Sequence, residues 1–322
     1  MSAIVEVEDL RKTFGGIVAV DGATFDIEEG AITGLIGPNG AGKTTTFNLI
    51  SGFYEPDGGT IRYDGRDLQD IMRPHRDEKL IWGGASGITI GALGGIVGLG
   101  PLGLSAVPAL GATVAGAGVG VGGYLAKQRA TQRRPGHTNS RPFMLAREGL
   151  VRTFQLTREL GEMTALENLL LAPQNQAGEN LANTWFRRDA VHEEEAAVRE
   201  RAEEMLELLE IDHLRDEPAA NLSGGQRKLL ELGRVLMLDP RVILLDEPVA
   251  GVNPALTEKL MARIETLRGE GYTFCIVEHD MEVIMDLSDT IIVMNEGQKL
   301  VEGTPDEIRN NEAVIDAYLG VD

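Results

Sequence analysis

The sequence predicts an α/β fold in which a largely parallel sheet is covered by helices. Three observations lead there. Apolar runs of strand length alternate with helix-length segments through the second half of the chain. One apolar run, Ile32-Thr33-Gly34-Leu35-Ile36, opens directly into a glycine-rich loop and a helix. Another, Val242-Ile243-Leu244-Leu245, ends in the consecutive acids Asp246 and Glu247.

In chain order, Ile4-Val5-Glu6-Val7 alternates like a half-buried strand, and Ile32–Ile36 is the strand before the loop. A helix is expected from Thr44 to Ser51, closed by Gly52. Pro56-Asp57-Gly58-Gly59 and Tyr63-Asp64-Gly65 mark turns. Residues 190–211 predict a charged amphipathic helix whose apolar stripe is Val198, Ala202, Met205, Leu206 and Leu209. Beyond it come a helix after Ser223, a strand at Val242–Leu245, a helix at 254–268, a strand at 272–277, a helix at 280–286 and a strand at 290–294.

The formal charge of −20, from 50 acids and 30 bases, argues against a general nucleic-acid binder, which normally presents a basic face. The same acidity fits a well-hydrated surface and also a salt-rich cytosol. The single cysteine, Cys275, excludes an internal disulfide and lies in an apolar run, where a buried, inert thiol is expected. The acidic start Met1–Asp9 lacks the basic and apolar segments of a signal peptide, so the main body is expected in the cytoplasm.

Residues 80–126 differ from everything around them. No charge occurs between Lys79 and Lys127, fifteen glycines do, and Pro101 and Pro108 divide the stretch into two apolar arms of near membrane-spanning length. Gly87/Gly91/Gly95 and Gly116/Gly120 repeat at the spacing that lets helices approach closely. Basic residues flank both ends, as in a hairpin with cytoplasmic termini. A membrane hairpin, a contact with a membrane subunit and a flexible glycine-rich insert all fit, because glycine also disfavours helix by about 1 kcal/mol relative to Ala.

The loop Gly37-Pro38-Asn39-Gly40-Ala41-Gly42-Lys43-Thr44-Thr45 fits G-x-x-x-x-G-K-[ST] in the strand–loop–helix context that pattern needs. Its glycines let backbone N–H groups point at phosphate oxygens, and the helix start adds positive potential. Lys43 supplies a charge to the β- and γ-phosphates, and the Thr44 hydroxyl can ligate Mg²⁺. At the tip of the second apolar run, Asp246 can hold Mg²⁺ through water and Glu247 can act as general base toward an attacking water.

Leu222-Ser223-Gly224-Gly225-Gln226 narrows the field, because with these motifs the chain resembles the ATP-binding cassette (ABC) family. That resemblance implies a P-loop fold with a RecA-like core, an antiparallel β portion and a helical lobe at about 157–222. It implies ATP and Mg²⁺ as ligands, and a head-to-tail pair of cassettes in which Ser223–Gln226 contacts the partner's γ-phosphate. It further implies that Phe14 stacks on adenine, that Gln155 senses Mg²⁺ and the attacking water, and that His279 touches the γ-phosphate.

Asp246–Pro254, Glu278-His279-Asp280-Met281 and Ala317-Tyr318-Leu319-Gly320 look like the ATPase subunit of branched-chain amino-acid importers. Asn253 stands where most cassettes carry aspartate, a mark of that subtype. The implied partners are a second or sister cassette, membrane permease subunits and, indirectly, an extracytoplasmic substrate-binding protein, with the chain at the cytoplasmic face of the cell membrane. The cassette is assigned to 1–76 and 146–322, and 77–145 reads as an insertion. A urea, amide or other amino-acid importer is the near alternative, and a soluble ABC ATPase the more distant one.

Overall fold

The computed structural model describes residues 2–72, 142–153, 160–174, 176–179, 185 and 187–319. Gln155, the apolar stretch 80–126, nearly all of 77–145 and part of the expected helical lobe lie outside these residues. The chain divides into a compact unit of Met1–Asp70 with Arg141–Asp322 and a second unit, Ile71–Ser140; the architecture below is that of the first.

Its strands are β1 (Ala3–Phe14), β2 (Ile17–Glu28), β3 (Ile32–Ile36), β4 (Gly58–Tyr63), β5 (Arg66–Asp67), β6 (Leu150–Arg152), β7 (Val242–Asp246), β8 (Thr273–Val277), β9 (Thr290–Asn295) and β10 (Gln298–Gly303). The helices are α1 (Lys43–Ile50), α2 (Leu68–Met72), α3 (Pro142–Arg147), α4 (Ala165–Leu170), α5 (Arg188–Leu208), α6 (Gly224–Leu236), α7 (Pro254–Gly269), α8 (Met281–Leu287), α9 (Pro305–Arg309) and α10 (Glu312–Leu319).

Two sheets result. An antiparallel sheet has the order β2-β1-β4-β5, and a six-stranded sheet runs β10-β9-β3-β8-β7-β6. Within the larger one only the edge pair β10/β9 is antiparallel; the pairs β9/β3, β3/β8, β8/β7 and β7/β6 are parallel. The three central strands β3, β8 and β7 are buried at every position, which is why they read as continuous apolar runs rather than alternating ones. Cys275 lies among them fully buried, and burial pushes its thiol up to about 12, so the expected inert thiol is what the fold contains.

The helix expected at 190–211 runs instead from Arg188 to Leu208. It stops early because Glu210 adopts a left-handed φ of 55°, letting the Ile211 amide bond back to the Leu206 carbonyl at 2.9 Å and the Glu210 amide to that of Glu207 at 3.0 Å. This is the Schellman arrangement, built on Glu where Gly is usual. Lys259 and Arg263 of α7 both bind the Glu210 carboxylate and hold that residue in place. Ala202, Leu206 and Leu209 are buried as expected, while Val198 and Met205 pack half-buried against the same core.

Candidate active site

The parallel order β3-β8-β7 brings three loops to one edge of the sheet, outside the carboxyl ends of adjacent strands, where α/β folds bind ligands. The glycine loop leaves β3, Glu278 and His279 follow β8, and Asp246 with Glu247 closes β7.

The loop's shape depends on glycine at two crowded positions. A Cβ on Gly37, at φ 150°, would stand 2.1 Å from the Met294 carbonyl oxygen. One on Gly42, at φ 95°, would stand 2.4 Å from the Ala19 carbonyl oxygen. The turn after β9 braces the loop, since the Gly297 amide donates to the Ala41 carbonyl at 3.1 Å while its own carbonyl accepts from Asp21 at 2.8 Å. Gly42 is the N-cap of α1 and carries no side chain to satisfy the first-turn amides. Lys43 is buried and folds back on the loop, donating to the carbonyls of Gly37 (2.7 Å) and Pro38 (3.0 Å). Burial pulls its ammonium below the ordinary value, and the nearby Glu247 carboxylate opposes that shift. Thr44 is exposed, Thr45 half-buried, and Asn39 and Gly40 exposed at the loop tip. An uncapped helix start, a loop whose close packing against Met294 and Ala19 needs glycine, and a buried lysine make an anion site that fits a nucleotide's phosphates.

Asp246 and Glu247 occupy different environments. Asp246 is buried and its Oδ2 accepts from Arg152 at 2.7 Å. Glu247 takes a left-handed φ of 49°, a conformation unfavourable for a residue with a Cβ and one that clusters at functional sites. The backbone is held there from three sides: its amide donates to the Val277 carbonyl at 2.9 Å, and its carbonyl accepts from the Ala250 amide at 3.2 Å and from Lys228 Nζ at 3.2 Å. The turn aims the carboxylate at His279, whose Nε2 lies 3.2 Å from Glu247 Oε1. Glu278 sits behind this pair, with Oε1 accepting from the Val249 amide (2.9 Å) and Oε2 from the His279 amide (3.1 Å). Burial raises its pKa, and those backbone donors oppose the rise.

Two other expected groups lie on other elements, at the end of β1 and the start of α6. Phe14, at the end of β1, is 41% exposed and packs edge-on to Tyr54 with ring centroids 5.2 Å apart, while Lys12 Nζ lies 5.5 Å from its centroid. Ser223 and Gly224 are exposed at the start of α6. Ser223 and Gln226 form a reciprocal capping box, the Ser223 amide donating to Gln226 Oε1 at 2.8 Å and the Gln226 amide to Ser223 Oγ at 3.3 Å. A Cβ on Gly225 would meet the Leu256 side chain at 1.8 Å, so glycine there lets α6 approach the start of α7. The sequence reading gave no role to Arg152, Tyr54 or Lys228, and took Glu278 only as part of the motif Glu278-His279-Asp280-Met281. An arginine or glutamate at the end of an apolar strand was the available signal for Arg152 and Glu278; nothing local marks Tyr54 or Lys228.

The chain belongs to the ABC transporter family, whose match spans residues 20–84 and 127–250, and it is an ATPase of that family. Residues 298–322 match the family described as branched-chain amino acid ATP-binding cassette transporter. Among curated relatives, it is 36% identical over 318 residues to the high-affinity branched-chain amino acid transport ATP-binding protein BraF of Pseudomonas aeruginosa, covering 98% of both chains. It is 34% identical to the probable branched-chain amino acid transport ATP-binding protein LivG of Archaeoglobus fulgidus, covering 98% of this chain and 95% of that one. A crystal structure of the ADP conformation of an ATP-binding cassette of an ABC transporter superposes with a TM-score of 0.67 at 30% identity, covering 99% and 100%. The α/β cassette fold expected from the sequence is therefore the fold of this chain. No helix among the described residues is long and apolar enough to cross a membrane.

Proposed function

We propose that this chain is the ATP-hydrolysing subunit of a branched-chain amino-acid importer, acting at the cytoplasmic face of the membrane with permease subunits and a second cassette. The observation that carries the catalytic part is the convergence of Lys43, Glu247 and His279 at one sheet edge, with His279 Nε2 and Glu247 Oε1 3.2 Å apart. The names of the relatives support the substrate class.

Loop amides of Gly40–Thr45 and the Lys43 ammonium hold the phosphates, and Phe14 with Tyr54 supplies the aromatic face for the base. Thr44 and Asp246 are the groups that would hold Mg²⁺, in the usual manner of few protein ligands plus phosphate oxygens. Bound there, the ion would neutralise charge developing on the transferred phosphoryl group. Glu247 accepts the proton of the attacking water, His279 orients that carboxylate, and His279 is assigned to the γ-phosphate. Gln155 is assigned to the Mg²⁺ and the same water, and Ser223–Gln226 to the γ-phosphate of the partner cassette. Closure of the pair on ATP, and reopening after hydrolysis, would drive the permease. Residues 77–145 are read as an insertion into the cassette.

Glu247→Gln tests the chemistry. Nucleotide affinity is expected to remain within a few-fold of the parent while turnover falls by at least about 10²-fold, the scale of general-base loss. Near-normal turnover would remove Glu247 as base. Uptake of labelled leucine by a deletion strain, restored by the parent chain but not by Glu247→Gln, tests the substrate.

A further inference from the structure

Arg152 joins three elements through one guanidinium. From the end of β6 its Nη2 binds Asp246 Oδ2 at 2.7 Å, and its Nη1 reaches Asn48 Oδ1 at 2.5 Å and Ser51 Oγ at 3.1 Å. The rings of Phe47 and Phe53 lie 5.0 and 5.4 Å from the guanidinium carbon. The Arg152 side chain is 10% exposed and that of Asp246 3%, so the pair is withdrawn from water. The arginine Nε has no partner among the described residues, and there the guanidinium is placed by its terminal nitrogens and by the two rings.

The register explains the reach. Arg152 stands beside Leu244 of β7, and Asp246 lies two residues on, on the same side of the strand. The carboxylate is held through Oδ2, which leaves its other oxygen outside the pair. At the other end Asn48 and Ser51 belong to the last turn of α1 and its cap, and that helix begins at Lys43. A shift of α1 is thus transmitted to Asp246 through a rigid fork, not through a flexible point charge.

We propose that Arg152 is a positioning residue that orients the Asp246 carboxylate toward a divalent cation and ties it to the helix of the phosphate loop. This rests on the reading of Asp246 as a Mg²⁺-holding group. A residue that orients a metal-holding carboxylate sets metal affinity, and loss of such an outer partner typically weakens it about 10–100-fold. A purely structural arginine would lower stability and nucleotide affinity together, with no selective change toward the ion.

The experiment uses the full chain and reads binding rather than turnover. ATP affinity is measured in EDTA with a fluorescent ATP analogue, and Mn²⁺ affinity at saturating ATP from the spin-resonance signal of the free ion. Arg152→Lys keeps the charge and loses the fork. Expected are EDTA-state nucleotide affinity close to the parent's and Mn²⁺ binding weakened about tenfold. Asn48→Ala, which removes one anchor of the guanidinium, should shift Mn²⁺ binding in the same direction by less. Unchanged Mn²⁺ affinity in a folded Arg152→Lys chain overturns the proposal, and if that variant does not fold, unchanged affinity in Asn48→Ala does so. Asp246→Asn separates the two levels: if it leaves Mn²⁺ binding intact, the reading of Asp246 itself fails. If it weakens binding while both other variants do not, only the role of Arg152 fails.

Discussion

At the scale of single residues, Gly42 and Glu278 carry the sharpest consequences. Gly42→Ala places a methyl group against the Ala19 carbonyl oxygen in a left-handed conformation. The backbone term alone is about 1–3 kcal/mol, and relief of the clash must move the loop that presents the phosphate-binding amides. The expected outcome is a lower urea midpoint together with loss of ATP binding; a variant that binds ATP with parental affinity would show that the loop tolerates the movement. Glu278 acts through charge. Burial raises its pKa from the ordinary 4.5, with Val249, His279 and Asp280 amides opposing. Below pH 4.5 the group is protonated in folded and unfolded chains alike. As pH climbs from there through the raised folded value, the folded chain holds a proton that the unfolded one has released, so this residue's contribution to stability declines. Glu278→Gln removes that decline, and its stability relative to the parent should rise with pH across that window in urea titrations. Parallel curves for the two proteins would contradict the burial argument.

At the scale of elements, the start of α6 serves two purposes that substitutions can separate. Ser223 Oγ caps its own helix by accepting from the Gln226 amide, and the same exposed end is the proposed contact for a partner's γ-phosphate. Ser223→Ala removes the cap and should cost about 1 kcal/mol of stability, within a usual range of 0.5–2. Ser223→Asp keeps a good cap and favours the helix dipole, yet sets a negative charge where an anion is to bind. Its melting temperature should therefore stay near the parent's while ATPase activity falls well below that of Ser223→Ala. Comparable activity in the two variants would leave Ser223 with capping alone. Elements of this kind were largely legible in the sequence, because their signals are local. The loop Gly37–Thr45, the strand ending at Asp246 and the helix after Ser223 each announce themselves within ten residues. What escaped is non-local: Arg152 meets Asp246 across 94 positions, and Tyr54 meets Phe14 across 40. The early end of α5 escaped for another reason, since Glu210 fills a place where glycine would have been the signal and is held there by Lys259 and Arg263 of a later helix.

At the scale of the whole molecule, charge sets the conditions under which two copies can meet. Each chain carries 50 acids and 30 bases, a formal −20, and bound nucleotide adds further negative charge. Long-range repulsion between such copies opposes association, while the contacts that recognise nucleotide across the proposed interface are short-ranged and partly sheltered from water. Salt discriminates between them. The screening length falls from about 30 Å at 0.01 M to about 8 Å at 0.15 M and about 3 Å at 1 M, so added salt weakens the repulsion between whole surfaces before it weakens the close phosphate contacts. Sedimentation velocity of Glu247→Gln with saturating MgATP should therefore show the dimer fraction rising between about 0.02 and 0.3 M NaCl, the range over which the screening length drops below the size of a domain. Without nucleotide the protein should remain monomeric throughout. A dimer that dissociates steadily with salt would mean that the interface is held by complementary surface charges, and the head-to-tail arrangement built on Ser223–Gln226 and the opposing phosphate loop would need to be replaced by one with a basic face.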